Sequence, residues 1–136
     1  DWGQDLLRLR DWLDRHPEIK RIGLAYYGCP DPAHFGIRDF FVPPLVPEEP
    51  DRLLAGDSRP FGPQPGWFAV SESLRVGISM PIADESGRFR HFGPPVFTYF
   101  SEFEPVDRIG YSIYVYHLEL SEVNAVRRKL NLPVIR

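Results

Sequence analysis

Few residues of this 136-residue chain have the type and spacing to do chemistry. Cys29 is the only cysteine, and His34 stands five positions further on. Cys29 falls just past an expected strand end, where α/β enzymes often place catalytic groups. A thiolate nucleophile would need a base and an oxyanion donor beside it. A half-buried thiol at a turn is the favoured reading, since free cysteine is among the most buried residue types. A small enzyme using Cys29 stays as an alternative. One cysteine excludes an intrachain disulfide and a cysteine-rich zinc site. His16, His34, His91 and His117 are scattered without an HxH or HExxH spacing, so neither a metal nor a cofactor is expected. Asp1 with Asp5, or Glu102 with Glu104, could supply the two carboxyls that glycoside chemistry holds across one bond. Each has a plainer role: Asp1 as a helix cap, Asp5 at the positive end of that helix, Glu102 and Glu104 as solvated side chains.

Aromatic residues are abundant, with 3 Trp, 6 Tyr and 10 Phe. Tyr114 and Tyr116 share one face of an expected strand, and Tyr26 and Tyr27 straddle another. Aromatic faces stack on sugars and on choline-like cations. Core packing with the hydroxyls turned to water or to a partner is the favoured reading. No GxGxxG or Walker-type run follows an expected strand, so the phosphate cradle of a nucleotide site is missing. The 16 basic and 19 acidic residues give a net charge of −3 with no block of one sign. That balance predicts neither a nucleic-acid partner nor docking on an anionic membrane.

The elements that must position these residues follow from periodicity and punctuation. Trp2, Leu6, Leu9 and Leu13 mark one face of a helix over 1–15, with Asp1 and Gln4 as its capping box and His16-Pro17 as its stop. Ile19–Tyr27 reads as a strand covered on both sides: Ile22, Leu24 and Tyr26 on one face, Gly23, Ala25 and Tyr27 on the other. Gly28-Cys29-Pro30-Asp31-Pro32 is a turn. A short edge strand is expected within 35–42. The stretch 43–65 carries seven prolines and reads as a loop or extended arm. Gly66–Ser71 is a second central strand, and Ser71 could cap a helical turn through Arg75. Residues 77–95 look irregular around the turn Asp84-Glu85-Ser86-Gly87. Phe97, Phe100 and Phe103 suggest a short helix that Pro105 closes. Ile109–Leu118 alternates as one long strand. A last helix runs over 121–130 with Ser121 as N-cap, Val123, Val126 and Leu130 inward, and basic residues at its C-terminus. The order predicts an α/β fold: a small, mainly parallel or mixed sheet flanked by helices, with a long proline-rich arm. The length suits one domain over 1–136. No apolar run in these residues approaches a membrane span, and none of them is expected to be a signal peptide. The start at Asp1-Trp2 without methionine fits a processed chain or a domain excised from a longer one.

Four blocks carry a resemblance. They are Asp1-Trp2-Gly3-Gln4-Asp5-Leu6; Ile22-Gly23-Leu24-Ala25-Tyr26-Tyr27-Gly28; Pro65-Gly66-Trp67-Phe68-Ala69-Val70-Ser71; and Pro105 through Tyr116. The series resembles the soluble C-terminal region of multi-spanning bacterial glycosyltransferases related to dolichyl-phosphate-mannose–protein mannosyltransferases, which use a phospholipid-carried sugar. The first block is the most specific, because helix physics does not ask for Gly3 near a helix start. The resemblance implies an extracytoplasmic domain tethered to the bacterial cytoplasmic membrane, with the catalytic carboxylate in a membrane part outside this chain. It carries over no catalytic residue. The implied partners are the membrane-embedded portion of the same chain, a lipid-linked sugar, or an acceptor glycan or protein. If this chain touches substrate, Asp1, Trp2, Gln4 and Asp5 with Tyr26 and Tyr27 would form one polar, aromatic-lined edge. A carbohydrate-binding module without a catalytic parent is the rival reading from the aromatics.

Overall fold

The computed structural model describes residues 3–27, 31–46, 61–78, 81–91 and 97–136. Asp1, Trp2, Cys29 and the greater part of the proline-rich arm therefore lie outside the described residues.

Helix α1 (Gln4–Asp14) buries Leu6 and Leu9 of the expected apolar stripe, with Trp12 buried more fully than the expected Leu13, while Trp2 of that stripe lies outside the described residues. Its start differs from the expected capping box. Gly3 is the N-cap, in a left-handed conformation at φ 98, and as a glycine it offers no side-chain cap. A Cβ on Gly3 would lie 2.5 Å from the Phe35 ring, so both backbone and packing require glycine here.

Strand β1 (Ile22–Ala25) is shorter than the apolar run suggested. Its two faces are as expected: Leu24 and Tyr26 enter one core, Ala25 and Tyr27 the other. A 3-10 turn (Pro32–Phe35) follows, with Asp31 accepting from the Ala33 N–H at 3.0 Å. β2 (Phe40–Phe41) is the short edge strand, parallel to β1. β3 (Gly66–Ser71) is central and parallel to β1, and β7 (Ile113–Leu118) runs antiparallel to β3. β6 (Asp107–Ile109) closes the far edge, giving the order β2-β1-β3-β7-β6.

The α/β fold is as expected, but the sheet is mixed rather than mainly parallel. Parallel neighbours need a long crossover, which the chain supplies before β2 and again before β3; β6 and β7 are joined by only three residues and must be antiparallel. The stretch 109–118 is therefore a hairpin and not one strand. Gly110, at φ 57, turns the chain. The alternation ran on through the turn because Ile109 pairs with Ile113 across it, on one face. A second hairpin, β4 (Pro81–Ala83) with β5 (Phe89–His91), occupies the stretch read as irregular. Its turn is at Asp84, whose carboxylate accepts from the Ser86 N–H, the Ser86 hydroxyl and the Arg88 N–H.

Two cores fill the faces of the large sheet. α1 covers Ile22, Leu24, Ala69, Ile113 and Val115 on one side. On the other lie a 3-10 helix (Thr98–Glu102), flanked by buried Phe97 and Phe103, and α3 (Leu120–Lys129), contributing Val123 and Val126. The N-cap of α3 is Glu119 rather than Ser121. Glu119 and Glu122 form a reciprocal capping box, with Glu122 accepting from the Glu119 N–H at 2.8 Å. The short helix α2 (Glu72–Arg75) follows β3. Ser71 is its N-cap but caps nothing; its hydroxyl accepts from the Tyr27 N–H at 2.7 Å and ties the end of β1 to the end of β3. No helix among the described residues is long and apolar enough to cross a membrane.

Candidate functional site

The parallel strands β1 and β3 end on the same side of the sheet, which is where open α/β sheets bind ligands. The start of α1 and the tip of the β6–β7 hairpin arrive at the same rim. Asp5 joins them. Its side chain is only 6% exposed. It accepts from the Ser112 hydroxyl at 2.6 Å, the Ser112 N–H at 3.0 Å, the Tyr111 N–H at 3.2 Å and Arg8 Nη1 at 2.9 Å. Burial by itself would push the Asp5 carboxyl up. The Ser112 hydroxyl, Arg8 and the two backbone donors outweigh burial and hold it below the ordinary carboxylate range. The approach is so close that a Cβ on Gly110 would lie 1.9 Å from Asp5 Oδ1.

Tyr26 is buried on the same face. Burial pushes its phenol up to about 12; the Asp5 charge adds to the rise, and a hydrogen bond from the Gly3 backbone opposes it. Gly3, Asp5 and Tyr26 are thus one interlocked group. Gln4 is exposed beside it. Tyr27 faces the other core and is half-buried. The structure accordingly brings Gln4, Asp5, Tyr26 and Tyr27 to one rim. Asp5 and Tyr26, however, are turned inward and occupied by the fold. Asp1 and Trp2 precede this rim in the chain and lie outside the described residues.

Sequence reasoning missed the partners of Asp5: Arg8, Gly110, Tyr111 and Ser112. A glycine inside an alternating pattern was the available signal, since it marks a bulge, a bend or a close approach. Tyr111 is the most exposed large hydrophobic side chain among the described residues, at 82%, on a backbone pinned by Asp5 and by Arg108 Nη2 donating to the Tyr111 carbonyl at 2.7 Å.

The other chemical candidates are dispersed. His16 stacks on Trp12 at 3.9 Å, and His117 on Trp67 at 4.2 Å. His34 is exposed. Glu102 accepts from Lys129 at 2.6 Å, and Glu104 is exposed. Among the described residues no group of three or more His, Cys, Asp or Glu side chains could hold a metal ion. A shallow hollow of about 270 Å³ between Asp14, Arg21, Arg38 and Asp39 lies by the other end of α1, away from Asp5. Tyr116, weighed as a stacking surface, is fully buried in the core, whereas Tyr114 is half-buried.

Neither the models of known protein families, nor curated proteins, nor solved structures include a match to this chain.

Proposed function

We propose that this chain is a non-catalytic accessory domain of a bacterial membrane glycosyltransferase that draws on a phospholipid-carried sugar. It would lie on the extracytoplasmic face and meet substrate, or the membrane-embedded portion of the same chain, through the rim at Gln4, Tyr27 and Tyr111. One observation carries this reading. The four blocks that resemble such enzymes, far apart in sequence, meet at a single place: Gly3 and Asp5 of the first touch Tyr26 of the second and Gly110–Ser112 of the fourth, while Ser71 of the third holds Tyr27.

The test is sugar transfer from a phospholipid-linked donor by the full-length gene product carrying Gln4→Ala, Tyr27→Ala and Tyr111→Ala. Reduced transfer at equal expression is expected, together with no transfer by the present chain alone. Wild-type transfer by the triple variant would remove the rim from the reaction, and transfer by the present chain alone would end the accessory reading.

A carbohydrate-binding module without a catalytic parent is favoured by one feature, the rigidly mounted and exposed Tyr111. Oligosaccharide titration followed by NMR separates the two: saturable shifts centred on Tyr111 favour the module, and a flat response across varied glycans rejects it.

A further inference from the structure

The residues that follow α3 are held against it as a bound peptide is held. The chain leaves the helix by a turn at Asn131, the one non-glycine residue with a positive φ (60) among the described residues. The Asn131 N–H donates to the Arg128 carbonyl at 3.1 Å and the Leu132 N–H to the Arg127 carbonyl at 2.8 Å, which doubles the chain back along the helix. There the Asn124 side-chain amide pairs with both backbone groups of Ile135. Its Oδ1 accepts from the Ile135 N–H at 2.8 Å, and its Nδ2 donates to the Ile135 carbonyl at 3.0 Å. Three residues further along α3, Arg127 Nε donates to the Pro133 carbonyl at 2.6 Å. Side chains complete the fit. Leu132 lies so close over Gly62 that a Cβ there would stand 2.5 Å from Leu132 Cδ1. Ile135 packs against the core that α3 covers, while Pro133 and Val134 are exposed.

A side-chain amide that satisfies the N–H and the carbonyl of one residue recognises extended backbone much as a neighbouring strand does. Asn124 therefore selects conformation, and the other contacts select sequence. The space over Gly62 takes the Leu132 side chain. Position 133 offers Arg127 only a carbonyl, so proline, which has no N–H, leaves no donor unpaired there. Position 135 takes an apolar side chain. α3 and the exit of the proline-rich arm thus form a groove with selectivity for Leu-Pro-x-Ile. None of its contacts depends on which chain supplies that segment. We propose that the groove also accepts residues 132–135 of a second copy of this chain, so that two copies associate by exchanging these segments. Exchange of an identical element is a low-cost route to a dimer, because the contacts repeat those of the single copy. The hinge is Asn131. In ordinary right-handed backbone it would carry the chain past Leu130 and away from its own α3, and the left-handed turn, which residues other than glycine rarely adopt, would be relieved. A tethered segment competes for its own groove at an effective concentration of about 1 mM. The single copy therefore predominates in dilute solution, and exchange appears when a chain's own segment is weakened or the protein is concentrated. This inference does not depend on the accessory-domain reading.

The probe is a peptide of sequence Asn-Leu-Pro-Val-Ile-Arg, blocked at both ends. It is titrated into the full chain carrying Ile135→Glu, which weakens the chain's own segment and leaves Asn124, Arg127 and Gly62 in place. Ile135→Ala serves as a second recipient in case the glutamate disturbs the core. Binding is followed by the NMR signals of the Asn124 side-chain amide. A segment that fills its own groove must have a Kd below its effective concentration, so saturable shifts with a Kd at or below about 1 mM are expected in the recipient. Apparent binding to wild type should be weaker, because its groove is already filled. A peptide with glutamate in place of the isoleucine should leave the signals unmoved. Exchange itself is read by mixing Ile135→Glu, which keeps a sound groove, with Asn124→Ala, which keeps a sound segment. A 1:1 complex by sedimentation equilibrium is expected at about 1 mM of each, with either variant alone remaining single. Unmoved Asn124 signals in both recipients, at peptide concentrations several-fold above the effective concentration, overturn the groove. Equal binding of the scrambled peptide Asn-Val-Ile-Leu-Pro-Arg overturns its selectivity for this segment. Peptide binding without a mixed complex overturns the exchange between copies.

Discussion

Replacing Asp5 by asparagine tests whether this buried carboxylate is a structural staple, as its contacts indicate, or a substrate ligand. The side chain keeps its shape but loses its charge, and one acceptor oxygen becomes an NH2 group that faces N–H donors. Three of the donors come from the hairpin tip: the Tyr111 N–H, the Ser112 N–H and the Ser112 hydroxyl. The fourth, Arg8, is 56% exposed and contributes little through solvent screening. Hydrogen bonds to a charged group contribute about 1.5–3 kcal/mol each, and a donor left buried without a partner costs about 1–3 kcal/mol. Losing one or two of the three hairpin bonds therefore gives a loss of about 2–4 kcal/mol by urea denaturation. For a chain of this size that corresponds to a melting temperature lower by roughly 6–20 °C. The pH dependence follows from the direction of the shift. The folded carboxyl titrates below its reference value of 3.8, so its contribution is complete above that pH and disappears as pH falls through the folded value. The gap between wild type and Asp5→Asn should accordingly be constant at neutral pH and close in acid. Pairing the change with Ser112→Ala in a double-mutant cycle should show coupling of about 1–2 kcal/mol, since the two share a hydrogen bond. A variant as stable as wild type to within about 0.5 kcal/mol, the range of ordinary surface substitutions, would refute the staple and return Asp5 to the list of substrate contacts.

Gly110→Ala should be the more damaging change, by more than about 3 kcal/mol, because it combines a left-handed backbone with displacement of the Asp5 carboxylate. Thermal unfolding monitored by circular dichroism would show it. Arg127→Met should cost about 2–4 kcal/mol in urea, because it strands the carbonyls of Phe61, Pro63 and Pro133 that this 7%-exposed arginine now serves. Tyr26 shifts up to about 12 in the fold, so native stability should fall as pH rises from 10 toward 12, and Tyr26→Phe should flatten that loss in denaturation curves across the range.

How much of this was legible beforehand depends on the range of the interaction. The faces of β1, the inward Phe97, Phe100 and Phe103, the α1 stripe and the edge strand at Phe40 were readable, because each is a local repeat of apolar residues set by the geometry of one element. Which residue caps a helix was less so: Gly3 replaced Asp1 and Glu119 replaced Ser121, since a cap depends on where the preceding chain comes from. Of the candidate rim, the sequence named Gln4, Asp5, Tyr26 and Tyr27 but not what they touch.

The chain's order of apolar stripes, glycines and prolines was enough to determine an α/β fold with two covered sheet faces, since burial alone forces those faces inward. Only the tertiary structure decided the mixed sheet, the break at Gly110 and the placing of Asp5 under the hairpin tip. Those depend on which of several compatible strands become neighbours. A pairing more than a hundred residues apart, such as Asp5 with Ser112, leaves no periodic trace in either segment. The same holds for Arg127, which reads as an ordinary basic residue at a helix end. It becomes a buried clamp only once the arm's exit and the C-terminal tail are laid against α3.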